Sequence, residues 1–295
     1  MKSVLIIGGL STERDQTAYG QFFSEFISDY HFDMANFDEL VFSLSPQNFS
    51  IKASKLDKEV SEYDLVIFRG KINECRDLAY AISIYLKHLK VPFFNDYSYY
   101  HYRSSNKLMQ TAFFFKEKAN FVDTYLALNI DDFKKTIKEK LKYPFILKDT
   151  MGSHGENNFL INNEAELNNA FADHPEIGFI AQPFHPNTCD YRILILGDQK
   201  PIVIKRMAKE NSHLNNTSQG GGAEIIDNFP VRVIEEAKSL AAKAGMVLAG
   251  VDILPDAETG EHFVLEINSQ PQILTGAFVE QKQEAIKNLL KDYLN

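Results

Sequence analysis

Cysteine is scarce. Cys75 and Cys189 are the only two in 295 residues and lie far apart, which excludes a disulfide framework and a cysteine-based zinc site. Long apolar runs are missing too, since no stretch approaches the roughly 20 residues that a membrane-spanning helix needs. The opening run Val4, Leu5, Ile6 and Ile7 meets Gly8 and Gly9 and is too short for the core of a targeting peptide, so the expected compartment is the cytoplasm, with no membrane partner. Basic excess is absent: 31 Lys and Arg against 40 Asp and Glu leave a net charge of −9, which argues against nucleic acid as the main partner. A local phosphate-binding groove remains compatible with that charge. Internal repeats and low-complexity tracts are lacking as well. What remains, 44% apolar and 24% charged residues, is a soluble globular composition, long enough for two or three domains or lobes.

Strand and helix patterns alternate along the first hundred residues. Residues 3–7 form an apolar run of buried-strand type, and Phe22, Phe23, Phe26 and Ile27 follow at helical spacing. Strand-like runs recur at 40–44, 65–68 and 91–94, with an amphipathic stretch at 78–89. This predicts an open α/β layer built from right-handed crossovers. Gly8 and Gly9 lack the spacing of a dinucleotide loop, and a tight turn accounts for them. A boundary is expected near 97–104, where one of Ser104, Ser105, Asn106 and Lys107 caps a helix running through Leu108, Thr111, Ala112 and Phe115. Next come a short strand over 120–126, a charged helix with Phe133, Ile137 and Leu141 on one stripe, and strands at 143–148 and 158–161. A helix capped by Asn163 and a strand at 178–182 follow. Runs at 190–196 and 202–206 flank a turn at Gly197 and Asp198, a hairpin signal. Beyond a polar loop at 209–222 lie a helix at 231–244, strands at 247–254 and 263–268, and a closing amphipathic helix at 279–294.

Three clusters carry chemistry. Along 263–271 the residues alternate, so Val264, Glu266 and Asn268 are expected on one face and Leu265 and Ile267 on the other. A carboxylate and an amide oxygen two residues apart suit Mg²⁺, which prefers oxygen ligands. The run at 247–254 carries one acid, Asp252; if it pairs antiparallel with 263–268 across a turn at 255–261, Asp252 joins Glu266 and Asn268. The plain alternative is solvated polar positions on an amphipathic sheet. Second, Gly152, Ser153, His154 and Gly155 lie between two strands, where glycines let backbone N–H groups approach an anion, and Lys148 stands at the mouth of that loop. This is not a P-loop, and a surface hairpin is its alternative. Third, Arg192 and Arg206 sit on strands expected to pair. Like charges together on a sheet call for an anion between them, unless both are exposed on the rim. The turn length decides whether they stand opposite or offset, and Asp190 can pair with either. Cys189 has no histidine at the spacing of a nucleophile pair and reads as structural.

The order of these features resembles the ATP-grasp superfamily, most closely the RimK-type ligases, firmly over about residues 104–275 and more loosely over 1–100. The resemblance rests on Ile146, Leu147 and Lys148 before the glycine loop, and on Asp190, Tyr191 and Arg192. It rests also on Arg206 through Glu210 with Asn216, Gly220 and Gly221, on Gly250 through Leu254, and on Leu265 through Ser269. It implies an α/β fold with α+β lobes: an N-terminal α/β pre-ATP-grasp domain over 1–100 and ATP-grasp lobes over 101–184 and 185–295. It implies that Lys107 and Lys148 hold ATP phosphates under a loop containing Gly152, Ser153 and Gly155. Gln182, Pro183 and Phe184 would border adenine, Asp190 would contact ribose, and Asn216 would lie near phosphates and metal. Asp252, Glu266 and Asn268 would hold two Mg²⁺ ions, with Mn²⁺ as a substitute. Arg192 and Arg206 would be the catalytic cations at an acyl phosphate and its substrate.

The activity implied is ATP-dependent joining of a carboxylate to the amine of an amino acid or peptide, a protein tail included, with release of ADP and phosphate. A homo-oligomer is compatible with this. A small-molecule kinase on the same scaffold and a non-catalytic ATP-binding regulatory domain are the alternatives. Gln270, Pro271 and Gln272 stand where many relatives have Ser-Pro-Gly, and the loop around 211–218 is this chain's own, so the acceptor does not carry over.

Overall fold

A computed structural model of the chain describes residues 1–9, 19–23, 27–70, 72–99, 106–152, 157–207 and 222–295. The first strands are β1 (Ser3–Gly9), β2 (His31–Asn36), β3 (Leu40–Ser45), β4 (Asn48–Ala53), β5 (Lys58–Glu59), β6 (Leu65–Gly70) and β7 (Phe93–Phe94), with helix α1 (Arg76–Leu89) between the last two. A parallel sheet has the order β2-β1-β6-β7. Its central strands are continuous apolar runs because both faces are covered. Leu5, Ile7, Val66 and Phe68 meet Ala79, Ile82 and Leu86 of α1, while Val4, Ile6, Leu65 and Ile67 enter a second core on the other side.

Two expectations need correction here. Residues 40–44 do not join the parallel layer; β3 pairs with β4, and β4 with β5, in a separate antiparallel sheet. The strand beside β1 is instead β2, an edge strand with Ala35 as its single buried residue, so no apolar run marks it. Gly8 and Gly9 do not turn, for Gly8 still pairs with Asn36 and Arg69 inside the sheet. Phe26 lies outside the described residues.

Helix α2 (Lys107–Lys116) starts at Asn106, whose side chain accepts from the Met109 N–H; Ser104 and Ser105 lie outside the described residues. Residues 120–126 form no strand. Phe121 bridges Val264 and Tyr125 bridges Ala181, so the segment passes between two sheets and pairs one residue with each. Beyond it, α3 (Ile130–Lys140), β8 (Phe145–Asp149), β9 (Asn158–Ile161), α4 (Glu164–Asp173) and β10 (Phe179–Pro183) enclose a small core. The antiparallel sheet β10-β8-β9 buries Phe145, Leu147, Phe179 and Ala181 against Phe133 and Ile137 of α3 and Leu167 of α4.

The remaining elements are β11 (Cys189–Leu196), β12 (Ile202–Met207), β13 (Ala223–Ile225), α5 (Val231–Lys243), β14 (Leu248–Pro255), β15 (His262–Asn268) and α6 (Val279–Leu294). Their antiparallel sheet runs β13-β12-β11-β14-β15. One face, with Ile193, Val203, Val251, Ile253 and Ile267, packs on α5 and on Phe113 and Phe114 of α2. The opposite face is divided. At one end Leu194, Leu196 and Leu248 join Ile286, Leu289 and Leu290 of α6 and the parallel sheet. At the other end the same strands present Asp190, Arg192 and Asp252. That abrupt change from leucine to charge locates the site.

Candidate active site

β14 and β15 pair antiparallel with Asp252 opposite Glu266 and Gly250 opposite Asn268, so the two acids share a face. The expected alternation breaks at Leu265, because Ile253 pairs with Val264 and leaves Leu265 as an extra residue. This corrects the grouping of Val264 with Glu266 and Asn268. Val264 lies in the core with Ile267, and the irregularity turns Glu266 back toward Asp252. Bulges commonly re-aim a side chain beside a site in this way. Gln110 of α2 fixes the strand from below, its Oε1 accepting the Ile267 N–H at 2.8 Å.

The two arginines are offset. Asp190 stands opposite Arg206, and Arg192 stands between Ile204 and Asp252. Arg192 donates from Nε and Nη2 to the two Asp252 oxygens, both at 2.7 Å. Arg206 does the same to Asp190 at 2.6 and 2.8 Å, and its Nη2 lies 3.2 Å from Asp252 Oδ2. Acid and base thus alternate across β12, β11 and β14, which resolves the repulsion that two neighbouring arginines would otherwise suffer. Gly250 makes room for the arrangement: a Cβ there would stand 3.2 Å from Pro271 Cβ and 3.4 Å from Arg192 Cδ. Burial pushes the Asp252 carboxyl up, but Arg192 and Arg206 outweigh it and hold it below the usual carboxylate range. Both oxygens of Asp190 are taken by Arg206, so here it holds a guanidinium.

That network satisfies itself, and Glu266 and Asn268 stand outside it. Among the described residues neither side chain makes a hydrogen bond to protein. Burial, followed by Asp252, pushes Glu266 above the usual range, against the pull of Lys107, Arg192 and Lys148. Two carboxylates and an amide oxygen, one carboxylate lacking a partner, fit a hard divalent cation. No cluster of three or more His, Cys, Asp and Glu occurs among the described residues, so this smaller set is the candidate.

The other wall comes from the β10-β8-β9 sheet. Lys148 pairs with Ile180, and Ile146 with Gln182, so these four share the face opposite the small core. The apolar pair Ile146 and Ile180 thus lies between an ammonium and an amide. Gln182 is fixed by donating from Nε2 to Thr124 Oγ1 at 2.7 Å; Pro183 ends the strand and Phe184 follows, half-buried. Lys107, the first residue of α2, donates from its backbone to Thr150 O at 2.8 Å and from Nζ to Gly152 O at 2.5 Å. It therefore grips the start of the glycine loop. The Lys148 side chain makes no hydrogen bond or ion pair among the described residues; burial first, then Lys107, pull it down to about 8. Ser153, His154, Gly155, Asn216, Gly220 and Gly221 lie outside the described residues. Gln110, Asn95 and Arg69, all buried and polar, escaped the sequence reading, although a glutamine on the buried stripe of α2 was a usable signal.

Opposed lysines, an oxygen-rich strand pair and an arginine network between two sheets define a class, the nucleotide-dependent ligases of ATP-grasp architecture. The profile of the RimK-like ATP-grasp domain matches residues 104–291. The α-aminoadipate–LysW ligase LysX of Saccharolobus solfataricus is 27% identical over 227 residues, covering 72% of this chain and 77% of LysX. A probable α-L-glutamate ligase of Citrobacter koseri is 42% identical over 82 residues, 28% of this chain and 26% of that one. Among solved structures, the ATP-grasp ligase PsnB with a phosphomimetic precursor variant, Mg and ADP superposes with a TM-score of 0.71 at 12% identity, covering 100% of this chain and 99% of PsnB. The D-alanine–D-alanine ligase of Bacillus anthracis with ATP gives 0.66 at 15%, covering 100% and 96%. The chain belongs to the RimK-like ATP-grasp family and is an ATP-dependent carboxylate–amine ligase that uses ATP with Mg²⁺. Relatives of the chain are named for ligation of α-aminoadipate to LysW and of L-glutamate to ribosomal protein bS6. No helix among the described residues is long and apolar enough to cross a membrane.

Proposed function

We propose that this ligase activates its acid as an acyl phosphate and couples it to the amine of an amino acid or a peptide, releasing ADP and phosphate. The observation that carries this reading is Glu266 with Asn268, free of side-chain hydrogen bonds among the described residues and within the field of Lys107 and Lys148 of the opposite wall. Lys107 and Lys148 bind the phosphates, and Ile146, Ile180, Gln182, Pro183 and Phe184 border the base. Glu266, Asn268 and the remaining lone pairs of Asp252 would hold magnesium, two ions in our reading, which would supply positive charge against the phosphoryl oxygens. Ser153, Gly155 and Asn216 are assigned to the phosphates from the motif order. Arg192 and Arg206 have N–H bonds beyond those given to Asp252 and Asp190, and these face the charge that gathers on the acyl phosphate and on the tetrahedral intermediate. Asp190 acts through Arg206. The division at 1–100, 101–184 and 185–295 and a cytoplasmic location belong to the same proposal. Relatives named as α-aminoadipate–LysW and ribosomal protein bS6–L-glutamate ligases favour an amino-acid substrate.

Purified protein given ATP, Mg²⁺ and pools of amino acids and carboxylic acids is expected to release ADP and phosphate, and added hydroxylamine to yield a hydroxamate. Release of AMP and pyrophosphate would point to adenylate chemistry. A stable phosphoester formed without any amine would make the protein a kinase.

A further inference from the structure

Arg69 closes β6 at the carboxyl edge of the parallel sheet, where open α/β sheets bind ligands. It is 2% exposed, yet its Nε and Nη1 have no acceptor among the described residues. Its hydrogen bonds among the described residues come from Nη2, which donates to Pro271 O at 2.9 Å and Tyr19 Oη at 3.2 Å, and the guanidinium lies 5.6 Å from the Tyr19 ring centroid. A guanidinium carries five N–H bonds and does not lose its charge in a protein. Leaving several unmet in a shielded place is costly unless an anion completes the set. The facing chain has a complementary vacancy. Gln270 donates from Nε2 to Phe68 O at 3.2 Å and to Tyr97 Oη at 2.9 Å, while its Oε1 is buried without a donor.

These groups adjoin the ligase site. Pro271, which accepts from Arg69, also packs over Gly250 beside the Arg192 side chain. Lys282 of α6 reaches the next residue, donating to Gln272 O at 3.1 Å and to Thr275 O at 2.7 Å. Arg69, Arg192 and Lys282 therefore lie around residues 270–272, and among the described residues the acid hydrogen-bonded to this group is Asp252, already shared with Arg206. Burial and then the charge of Arg192 depress Lys282 to about 8, in keeping with local cation excess.

We propose that Arg69 is a specificity residue that binds a substrate carboxylate the reaction does not consume, with Gln270 Oε1 as the neighbouring acceptor for a substrate N–H. This rests on the ligase reading above and names what its substrate must carry. Such a spectator carboxylate belongs either to the amino acid that supplies the amine or to a dicarboxylic acid activated at its other end. Of the two positions that differ from Ser-Pro-Gly, Gln270 is the one whose side chain contacts the Arg69 strand, through Phe68 O.

The test is thermal unfolding of the full chain with MgADP, followed by addition of each L-amino acid, its α-carboxamide, succinate, glutarate and their mono-amides. The wild type is expected to gain stability from at least one carboxylate probe and not from the matching amide. A positive amino acid assigns the carboxylate to the amine substrate; a positive dicarboxylate assigns it to the acid. Arg69→Met should keep the MgADP shift and lose the distinction. Arg69→Lys keeps the charge but not the fork, and should bind the probe about tenfold or more weakly, as expected for a lost charge-assisted hydrogen bond. Equal response to acid and amide in the wild type, no response to any probe, or undiminished discrimination in either variant overturns the proposal. A wild type that ignores MgADP fails the ligase reading itself, and this inference with it.

Discussion

Glu266 and Asp252 are both acids on one sheet face, but they differ in what already holds them. Asp252 has a guanidinium on both oxygens, whereas Glu266 has a second carboxylate for a neighbour. Glu266→Gln should therefore lower turnover by about 10²-fold or more, the scale of losing a key charge-stabilising group, while leaving the melting temperature equal or higher. The sign follows from linkage. A raised carboxyl in the folded state binds protons the unfolded chain has released, so its ionisation weakens the fold as pH rises through that window, and the amide removes the effect. Asp252→Asn should lose turnover and also about 3–5 kcal/mol, because Arg192 would be left without its charge partner. Paired activity and denaturation measurements decide both. Lys148, at about 8, yields a further expectation: above that pH the empty site has largely lost one charge, and a bound triphosphate restores it. Nucleotide binding should take up a proton near pH 8–9, seen as buffer-dependent binding enthalpy, and affinity should weaken as pH rises further. In Lys148→Met the proton uptake should fall, leaving only what Lys107, also lowered by burial, contributes. For stability the sign is opposite to that of Glu266. The folded chain holds fewer protons than the unfolded one between about 8 and the ordinary lysine range, so the penalty of this group is full below 8 and fades above it.

At the scale of elements, the strands that carry the site were legible because their alternating or continuous apolar runs were long enough to show. The convergence of Asp252 on Glu266 followed from antiparallel pairing alone. The extra residue at Leu265 was not legible: Val264 and Leu265 are both apolar, and nothing in their order says which one enters the core. β2 and β4 were missed because half-exposed strands leave no apolar signal. Gln110 was missed for another reason, since its partner Ile267 lies 157 residues away and local patterns do not reach that far. Its amide is the acceptor for a buried N–H between the two proposed ligands on β15. Gln110→Leu keeps the shape but removes the acceptor, and should destabilise by roughly 1–3 kcal/mol. If Gln110 also positions the strand, the same variant should raise the Mg²⁺ concentration needed for half-maximal activity. A variant that loses stability with unchanged Mg²⁺ dependence would confine Gln110 to structure.

Over the whole molecule, the parallel sheet and the five-stranded sheet share one apolar core through α6, and Asn95 joins their polar edges. Its Nδ2 donates to Leu248 O at 2.8 Å and Ser269 O at 2.9 Å, and its Oδ1 accepts from Val247 at 3.0 Å and Leu248 at 2.8 Å. One side chain from the segment after β7 thus fixes both the start of β14 and the exit of β15, the two ends of the acidic strand pair. Asn95 is buried and left-handed at φ 66°, a conformation asparagine tolerates better than most residues. Asn95→Ala loses four hydrogen bonds and keeps the strained backbone, which should destabilise by about 3–5 kcal/mol. Asn95→Gly loses the same bonds without the strain and should recover roughly 1 kcal/mol of that loss. Because the clamp ties the β14 and β15 ends to the parallel sheet, both variants should also impair turnover, although Asn95 touches none of the proposed ligands. Chemical denaturation ranks the two variants. Equal stability in both would show that backbone strain adds nothing here, and wild-type turnover in both would free the acidic strands from dependence on the first sheet.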